Sequence, residues 1–273
     1  MFKIPANDFN LALTLLSGQT FSWEKVGDSF VSSRNNKEYQ VSQVKNQVTN
    51  QVTCTVDDQD FLRAAFRLDD NLSEIYSELS KDKIIKRAIE ANKGLRVIKD
   101  EPFECLISYI CSANSNIPNI FKMTKNLRQK FGKNKMFPTP KELAKASLEE
   151  LRECKLGFRA KYVLEVAKKI SSGEFDIYGL EKLSYQEAKE KLVSLPGVGE
   201  KIADCVLLYS FGKLEAFPVD TWIRKVMTQN YFNGKKVSDK EIRKFAENKF
   251  GKYAGYAQLY LFHYFRTKAQ GSK

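Results

Sequence analysis

A lysine and an aspartate, each placed just after a tight turn, are the side chains whose type and spacing suggest chemistry. The lysine is Lys201, in the stretch LPGVGEKIADC from Leu195 to Cys205, and the aspartate is Asp220, in FPVDTWIRKVM. An amine two residues beyond Gly199 projects from the first turn of a helix toward whatever the turn holds. There it either pairs with an anion such as phosphate or, partly desolvated and near other cations, sheds its proton and attacks carbon to form a Schiff base. Asp220 follows Pro218 and precedes Ile223, Val226 and Met227 at helical spacing, which makes it the natural N-cap of a helix. Capping alone accounts for an aspartate there. Beside Lys201 it acquires a second use, because a carboxylate stabilises positive charge developing at a sugar C1′ as a base departs while the amine attacks that carbon.

Several elements must hold this pair. KLVSLPGVGEKIADCVLLYS is apolar-periodic on both sides of PGVG, so it reads as two helices joined by a very short hairpin, spanning about residues 184–211. Gly197 and Gly199, on either side of Val198, are expected to take positive φ angles and to let another backbone come close. Amides at the start of the second helix then bind phosphate, aided by the helix dipole. Such a grip holds a nucleic-acid backbone without reading its sequence.

Upstream, FSWEKVGDSFVSS and KEYQVSQVKNQVTNQVTCTV alternate apolar and polar residues, with Gly27-Asp28 and Asn35-Asn36 as turns, and predict an antiparallel sheet. From about Asp58 the period shifts from two toward 3.6, as in Phe103, Leu106, Ile107 and Ile110. Pro118 marks a helix start, Ser147, Ser184 and Ser238 each precede a glutamate by three residues as in capping boxes, and Gly132, Gly212 and Gly251 suit helix ends. The fold class is therefore α+β, mostly α. Residues 1–100 form a small antiparallel-sheet domain with helices, and residues 101–273 form an all-helical domain carrying the hairpin.

Charge divides the chain in the same place. Residues 1–100 carry 14 basic and 14 acidic side chains, whereas residues 101–273 carry 31 and 19, so the whole net +12 lies in the helical part. A field of that sign on a globular domain points to nucleic acid. No apolar run approaches the roughly 18 residues of a spanning helix, and MFKIPANDFN lacks the apolar core of a signal peptide. The chain is expected to be soluble and cytoplasmic, associated with DNA, with no membrane partner. Cys54, Cys105, Cys111, Cys154 and Cys205 form no CxxC pair, and with one histidine, His263, they supply no metal-ligand spacing. They read as reduced thiols, mostly in the core, and His263 as a packed residue of the aromatic YLFHYF helix. No metal or other cofactor is expected.

LPGVGEKIADC followed by PVD resembles the helix-hairpin-helix, Gly/Pro-rich loop and Asp signature of the DNA glycosylase superfamily, known as HhH-GPD. Through SGQTFSW, ICSANSNI, LGFRAKYV and YAGYAQLYLF the chain is similar, nearly end to end, to its 8-oxoguanine DNA glycosylase/AP lyases. That resemblance implies a base excision repair enzyme acting on double-stranded DNA containing 8-oxoguanine, working as a monomer. Lys201 would displace the damaged base and hold the sugar as an imine, and Asp220 would stabilise the oxocarbenium-like state. The base must first flip out of the stack, at a cost of a few kcal/mol.

The resemblance also implies a base pocket. The Gly18 carbonyl would accept the N7 hydrogen of 8-oxoguanine, where ordinary guanine presents a lone pair at a cost of about 1–3 kcal/mol. Gln258 would bond the Watson-Crick edge, with Phe262 stacked on one face of the base and Cys205 packed on the other. Asn114 would fill the gap left in the duplex, Phe158 would wedge beside the orphaned partner and Arg159 would read it. The wedge at Phe158 is Phe where Tyr is familiar, and two further departures from the family pattern matter. Asn119 stands where animal members carry a second arginine on the opposite cytosine, and Trp222 stands where a histidine contacts phosphate; both suit a microbial branch. Other superfamily members, acting on pyrimidines or alkylated purines, are the nearest alternative. Iron-sulfur members need a C-terminal four-cysteine cluster that is absent after Cys205, and monofunctional members lack the hairpin lysine. A noncatalytic helix-hairpin-helix DNA-binding protein is the alternative from another class, and it assigns no role to Lys201 with Asp220.

Overall fold

A computed structural model describes residues 2–34, 36–45 and 50–271. Asn35 of the expected Asn35-Asn36 turn, and residues 46–49 within the second alternating run, lie outside the described residues. Alternation in the N-terminal part becomes a five-stranded antiparallel sheet: β1 Phe2–Pro5, β2 Glu24–Val26, β3 Ser29–Arg34, β4 Lys37–Lys45 and β5 Asn50–Cys54, in the order β1-β5-β4-β3-β2. Phe30 pairs with Val41 and Val41 with Cys54, so buried side chains meet across three strands on one face. Gly27 makes the β2–β3 turn at φ +59°. Strand β1 went unforeseen, because four residues with one buried apolar side chain, Ile4, are too short to show a period.

Helices follow the sheet, apart from α1, Leu11–Leu16, which lies between β1 and β2. Asp58 caps α2, Gln59–Ala65, by accepting from the Phe61 amide, which places the change of period where the alternation ends. Then come α3 Leu72–Leu79, α4 Lys83–Ala91, α5 Pro102–Cys111, α6 Ile117–Phe131, α7 Pro140–Leu143, α8 Leu148–Glu153 and α9 Ala160–Ser171. The hairpin pair is α10 Tyr185–Val193 and α11 Glu200–Phe211, and α12 Thr221–Tyr231, α13 Asp239–Phe250 and α14 Ala254–Gly271 complete the chain. Each of Ser147, Ser184 and Ser238 closes a reciprocal capping box, and Thr139 with Glu142 closes another that sequence reading passed over.

Two hydrophobic clusters result. One lies under the sheet, from Ile4 and Phe9 to Leu62 and Phe66. The larger runs through the helices and takes in Leu72, Ile75, Ile85 and Ile89 of α3 and α4 as well as Tyr256 to Leu261 of α14. Helix α11 is its axis: every residue from Ile202 to Ser210 is buried, as expected of a helix packed on all sides. Asp204 is buried on this helix and meets Tyr185 Oη at 2.6 Å and Lys189 Nζ at 2.9 Å. Burial raises its pKa, and the Lys189 charge opposes the rise. This pairing ties α10 to α11 across the hairpin.

Candidate active site and nucleic-acid interface

The hairpin turns in six residues between α10 and α11. Gly197 adopts φ +77°, and a Cβ there would lie 2.6 Å from Cγ of Tyr162. Gly199 does not take the positive φ expected of it. It sits at φ −92° and ψ 176° as the N-cap of α11, extended backbone that any residue adopts, with no atom near a would-be Cβ. The hairpin needs one left-handed residue, and Gly197 supplies it. Val198 turns its side chain inward, 5% exposed, and its amide donates to Leu195 O at 3.1 Å, so this amide closes the turn. No side chain caps α11, which leaves its first amides to face outward with the dipole behind them.

These differences separate the two glycines experimentally. Gly197→Ala is expected to lower folding stability by about 1–3 kcal/mol, since it must strain the backbone and displace Tyr162. Gly199→Ala should leave the denaturation midpoint nearly unchanged and weaken binding to duplex DNA, because only an approaching phosphate would meet the new methyl. Equal stability losses in both variants would refute that assignment.

Lys201 lies in the first turn of α11 and is half-buried. Its Nζ donates to Ser112 Oγ at 2.9 Å and sits 5.1 Å from the centroid of the Tyr109 ring. Ser112, the C-cap of α5, donates in turn to Tyr109 O at 2.6 Å. Asp220 caps α12, accepting from the Ile223 amide at 2.7 Å. Burial pushes the Asp220 carboxyl above its ordinary pKa; the cap bond and then the charge of Lys201 pull it back. Lys201 and Asp220 both act electrostatically on Cys205, whose thiol burial pushes up to about 12. The cysteine is a buried, protonated side chain one turn along α11 from the lysine, and all five cysteines are free thiols.

Contacts link several of the remaining candidate residues in two runs. Tyr109 stacks on Tyr209 with ring centroids 5.8 Å apart, and Tyr209 Oη donates to Gln258 Oε1 at 3.3 Å. Gln258 is 4% exposed, and Phe262 is half-buried one turn later on α14. Arg266, a further turn along, places its guanidinium carbon 5.1 Å from the Phe262 centroid. Its Nη1 lies 3.1 Å from where a Cβ of Gly18 would be, and Ile117 closes on the same point. Gly18 has φ +92°, just past the end of α1. Its neighbour Gln19 accepts from Tyr109 Oη at 3.0 Å, which returns to the ring under Lys201.

Tyr109, Ser112, Tyr209 and Arg266 were missed by sequence reasoning. A usable signal existed for one of them: Gln258, Phe262 and Arg266 recur every four residues and so share a helix stripe. A cleft of about 840 Å³ between the sheet and α6, lined by Trp23, Phe121 and Arg128 among others, contains none of the candidate catalytic residues.

The remaining candidate residues lie in loops and at helix starts, and contacts join three of them, Asn114, Phe158 and Arg159. Asn114 is exposed in the α5–α6 loop with φ +48°. Arg159 is buried and donates through Nε to Ala113 O at 2.8 Å and through Nη2 to Asn114 O at 3.0 Å. Phe158 is 52% exposed and lies against that guanidinium at 4.5 Å. Trp222 is exposed in the first turn of α12, and Asn119 is exposed near the start of α6. His263 is buried, and burial followed by the nearby Arg266 charge lowers its pKa to about 4. Among the described residues there is no cluster of three or more His, Cys, Asp or Glu able to hold a metal.

Comparisons with known proteins agree on the family. Residues 1–106 match the family model described as 8-oxoguanine DNA glycosylase, N-terminal domain, and residues 107–252 match HhH-GPD superfamily base excision DNA repair protein. A probable N-glycosylase/DNA lyase of Methanothermobacter thermautotrophicus is 34% identical over 97% of this chain and 96% of its own length. N-glycosylase/DNA lyase OGG1 of Arabidopsis thaliana is 33% identical over 95% of this chain and 78% of its own. The 8-oxoguanine glycosylase/lyase of Clostridium acetobutylicum, solved with double-stranded DNA containing cytosine opposite 8-oxoG, superimposes with a TM-score of 0.90 at 32% identity, covering 98% of this chain and 99% of that one. With a hairpin lysine, an aspartate cap and matches along nearly its whole length, this chain belongs to the HhH-GPD superfamily of base excision DNA repair proteins, among its N-glycosylase/DNA lyases.

Proposed function

We propose that this protein excises 8-oxoguanine from duplex DNA through a covalent imine on Lys201 and then cleaves the abasic strand. The observation that carries this reading is that Lys201, in the first turn of α11, and the buried Asp220 cap of α12 are near enough for the lysine charge to act on the carboxyl, although they stand on different helices. As the free amine, Lys201 attacks C1′, the bond from C1′ to the base nitrogen breaks, and the base leaves with the bonding electrons. Asp220 stabilises the positive charge that builds on the sugar in between. The attached nitrogen then loses two protons, one taken up by the departed base anion and the other by O4′ as the C1′–O4′ bond breaks, and ring opening gives the imine. Removal of a C2′ proton then expels the 3′ phosphate oxygen by β-elimination. No step calls for a metal or other cofactor.

In this reading residues 1–100 supply one wall of the pocket through Gly18, and residues 101–273 supply the chemistry. Cys205 and Phe262 sandwich the base, and Gln258, steadied by Tyr209, bonds its Watson-Crick edge. Asn114 enters the vacated position, while Phe158 and Arg159 address the partner base. Arg159 holds the Ala113 and Asn114 carbonyls in the free protein, so reading the partner requires it to exchange these bonds. Val198 supports the turn from within, the Gly197–Gly199 segment grips the strand, and Trp222 offers an indole N–H near the backbone. The protein acts as a monomer in the cytoplasm of a microbial cell; no described helix is long and apolar enough to cross a membrane.

Duplexes carrying 8-oxoguanine or other lesions opposite each natural base test this directly, with base release and strand incision measured separately. Rapid release of 8-oxoguanine and borohydride trapping are expected, and a preference for a different lesion would refute the assignment. Because Asn119 stands in place of a second arginine, excision opposite cytosine and opposite adenine should differ by less than about 100-fold, or roughly 2.7 kcal/mol.

A further inference from the structure

From the position of its guanidinium we infer that Arg266 is a specificity-determining residue, which admits neutral, carbonyl-bearing oxidised purines to the base pocket and excludes positively charged alkylated purines. The inference rests on the base pocket proposed above. Arg266 lies against two of its walls at once: the guanidinium carbon is 5.1 Å from the Phe262 centroid, and Nη1 is 3.1 Å from the would-be Cβ of Gly18. Its Nη2 reaches Leu16 O at 3.4 Å, and its Nε is buried with no hydrogen-bond partner.

The charge is permanent, because a guanidinium stays protonated at any pH the enzyme meets. It is also incompletely answered. Asp220 attracts it, but the charge of Lys201 acts on the same carboxyl. His263, on the same helix, is held neutral at physiological pH by burial and by Arg266 itself. A base entering between Cys205 and Phe262 therefore meets a fixed cation with an unfilled donor at the Gly18 end of the slot.

Two classes of damaged purine respond to such a group in opposite ways. Oxidation of guanine leaves a neutral ring with carbonyl oxygens, which are acceptors for guanidinium N–H groups. Alkylation at N7 of guanine or N3 of adenine puts a formal positive charge on the ring, and bringing it beside Arg266 in a water-poor site is repulsive. The same positive charge makes these bases good leaving groups, so a pocket that admitted them would excise them readily. Arg266 thus blocks a reaction for which the Lys201 and Asp220 machinery is otherwise competent.

The test uses the full chain and three duplexes, containing 8-oxoguanine, 7-methylguanine or a preformed abasic site. Excision rates for the two bases are each divided by the abasic-site cleavage rate of the same protein, a reaction in which no base enters the pocket. Arg266→Gln is expected to raise the ratio of 7-methylguanine to 8-oxoguanine excision at least tenfold, while Arg266→Lys, which keeps the charge, stays within about threefold of wild type. A ratio unmoved by Arg266→Gln overturns the inference, since a purely structural role lowers both rates together. Equal shifts in the two variants overturn it as well, by assigning the effect to shape. A wild-type protein that cleaves the abasic site yet releases no 8-oxoguanine instead refutes the functional reading on which the inference rests.

Discussion

Lys201→Gln is expected to abolish the borohydride-trapped protein–DNA adduct and to slow strand incision by roughly 1,000-fold or more, as removal of a covalent nucleophile does elsewhere. The amide is close in length to the amine but cannot attack C1′ or form an imine. Damage to the fold should be small. Lys201 gives up one hydrogen bond, to Ser112 Oγ, and Ser112 keeps its own bond to Tyr109 O, so the stability change should be about 1 kcal/mol or less. Affinity for lesion-containing duplex should fall by no more than about tenfold, the loss of a single charge near the backbone. That combination separates the enzyme from a noncatalytic hairpin protein, for which the substitution would alter binding alone. An adduct that persists in Lys201→Gln would move the nucleophile to another amine and undo the mechanism.

Asp220→Asn isolates the second charge, because asparagine caps helices about as well as aspartate. Helix α12 should therefore remain seated, with the Ile223 amide still bonded. Excision of 8-oxoguanine is expected to drop by about 100- to 1,000-fold, the scale set by removing one preorganised electrostatic partner of a transition state. The pH dependence follows from the same group. Burial raises the Asp220 pKa above its ordinary value, so the carboxylate is lost on acidification earlier than an exposed aspartate, near 3.9, would lose it. Wild-type excision should thus show an acidic inflection above that value, and Asp220→Asn should lack it.

Stability carries the opposite sign. A carboxyl whose pKa is raised by folding holds its proton more tightly in the folded state, so its ionised form opposes folding at neutral pH and the opposition fades as pH falls through the raised pKa. Asp220→Asn should accordingly be as stable as wild type at pH 7, or more so. A clear loss of stability in that variant would show that Asp220 serves the fold before it serves catalysis.

The parts of this protein that could be read from its sequence are those determined by neighbours in the chain. The strand pair in FSWEKVGDSFVSS, the turn at Gly27-Asp28, the capping boxes and the Asp220 cap each depend on contacts within about seven residues, and the structure contains each of them. The hairpin was equally legible, and so was the lysine in the first turn of its second helix. The exception within that local set was Gly199, whose backbone is extended because one left-handed glycine completes the turn.

What surrounds the lysine came only from the packing of distant segments. Ser112 reaches Lys201 across 89 positions because α5 lies along α11, and Arg266 near the end of α14 reaches Leu16, the last residue of α1, across 250. The approach of Ser112 leaves no periodic trace, and the four-residue stripe that Arg266 shares with Gln258 and Phe262 places it on a helix face without saying what that face meets. By itself the sequence specified a glycine turn, a lysine in the first turn of a helix and a capping carboxylate, through short-range propensities that act before any tertiary contact forms. Tyr109, Tyr209 and Gln258 come together only when α5, α11 and α14 pack into one buried core, because the stacking and the hydrogen bond that join them cross between those helices.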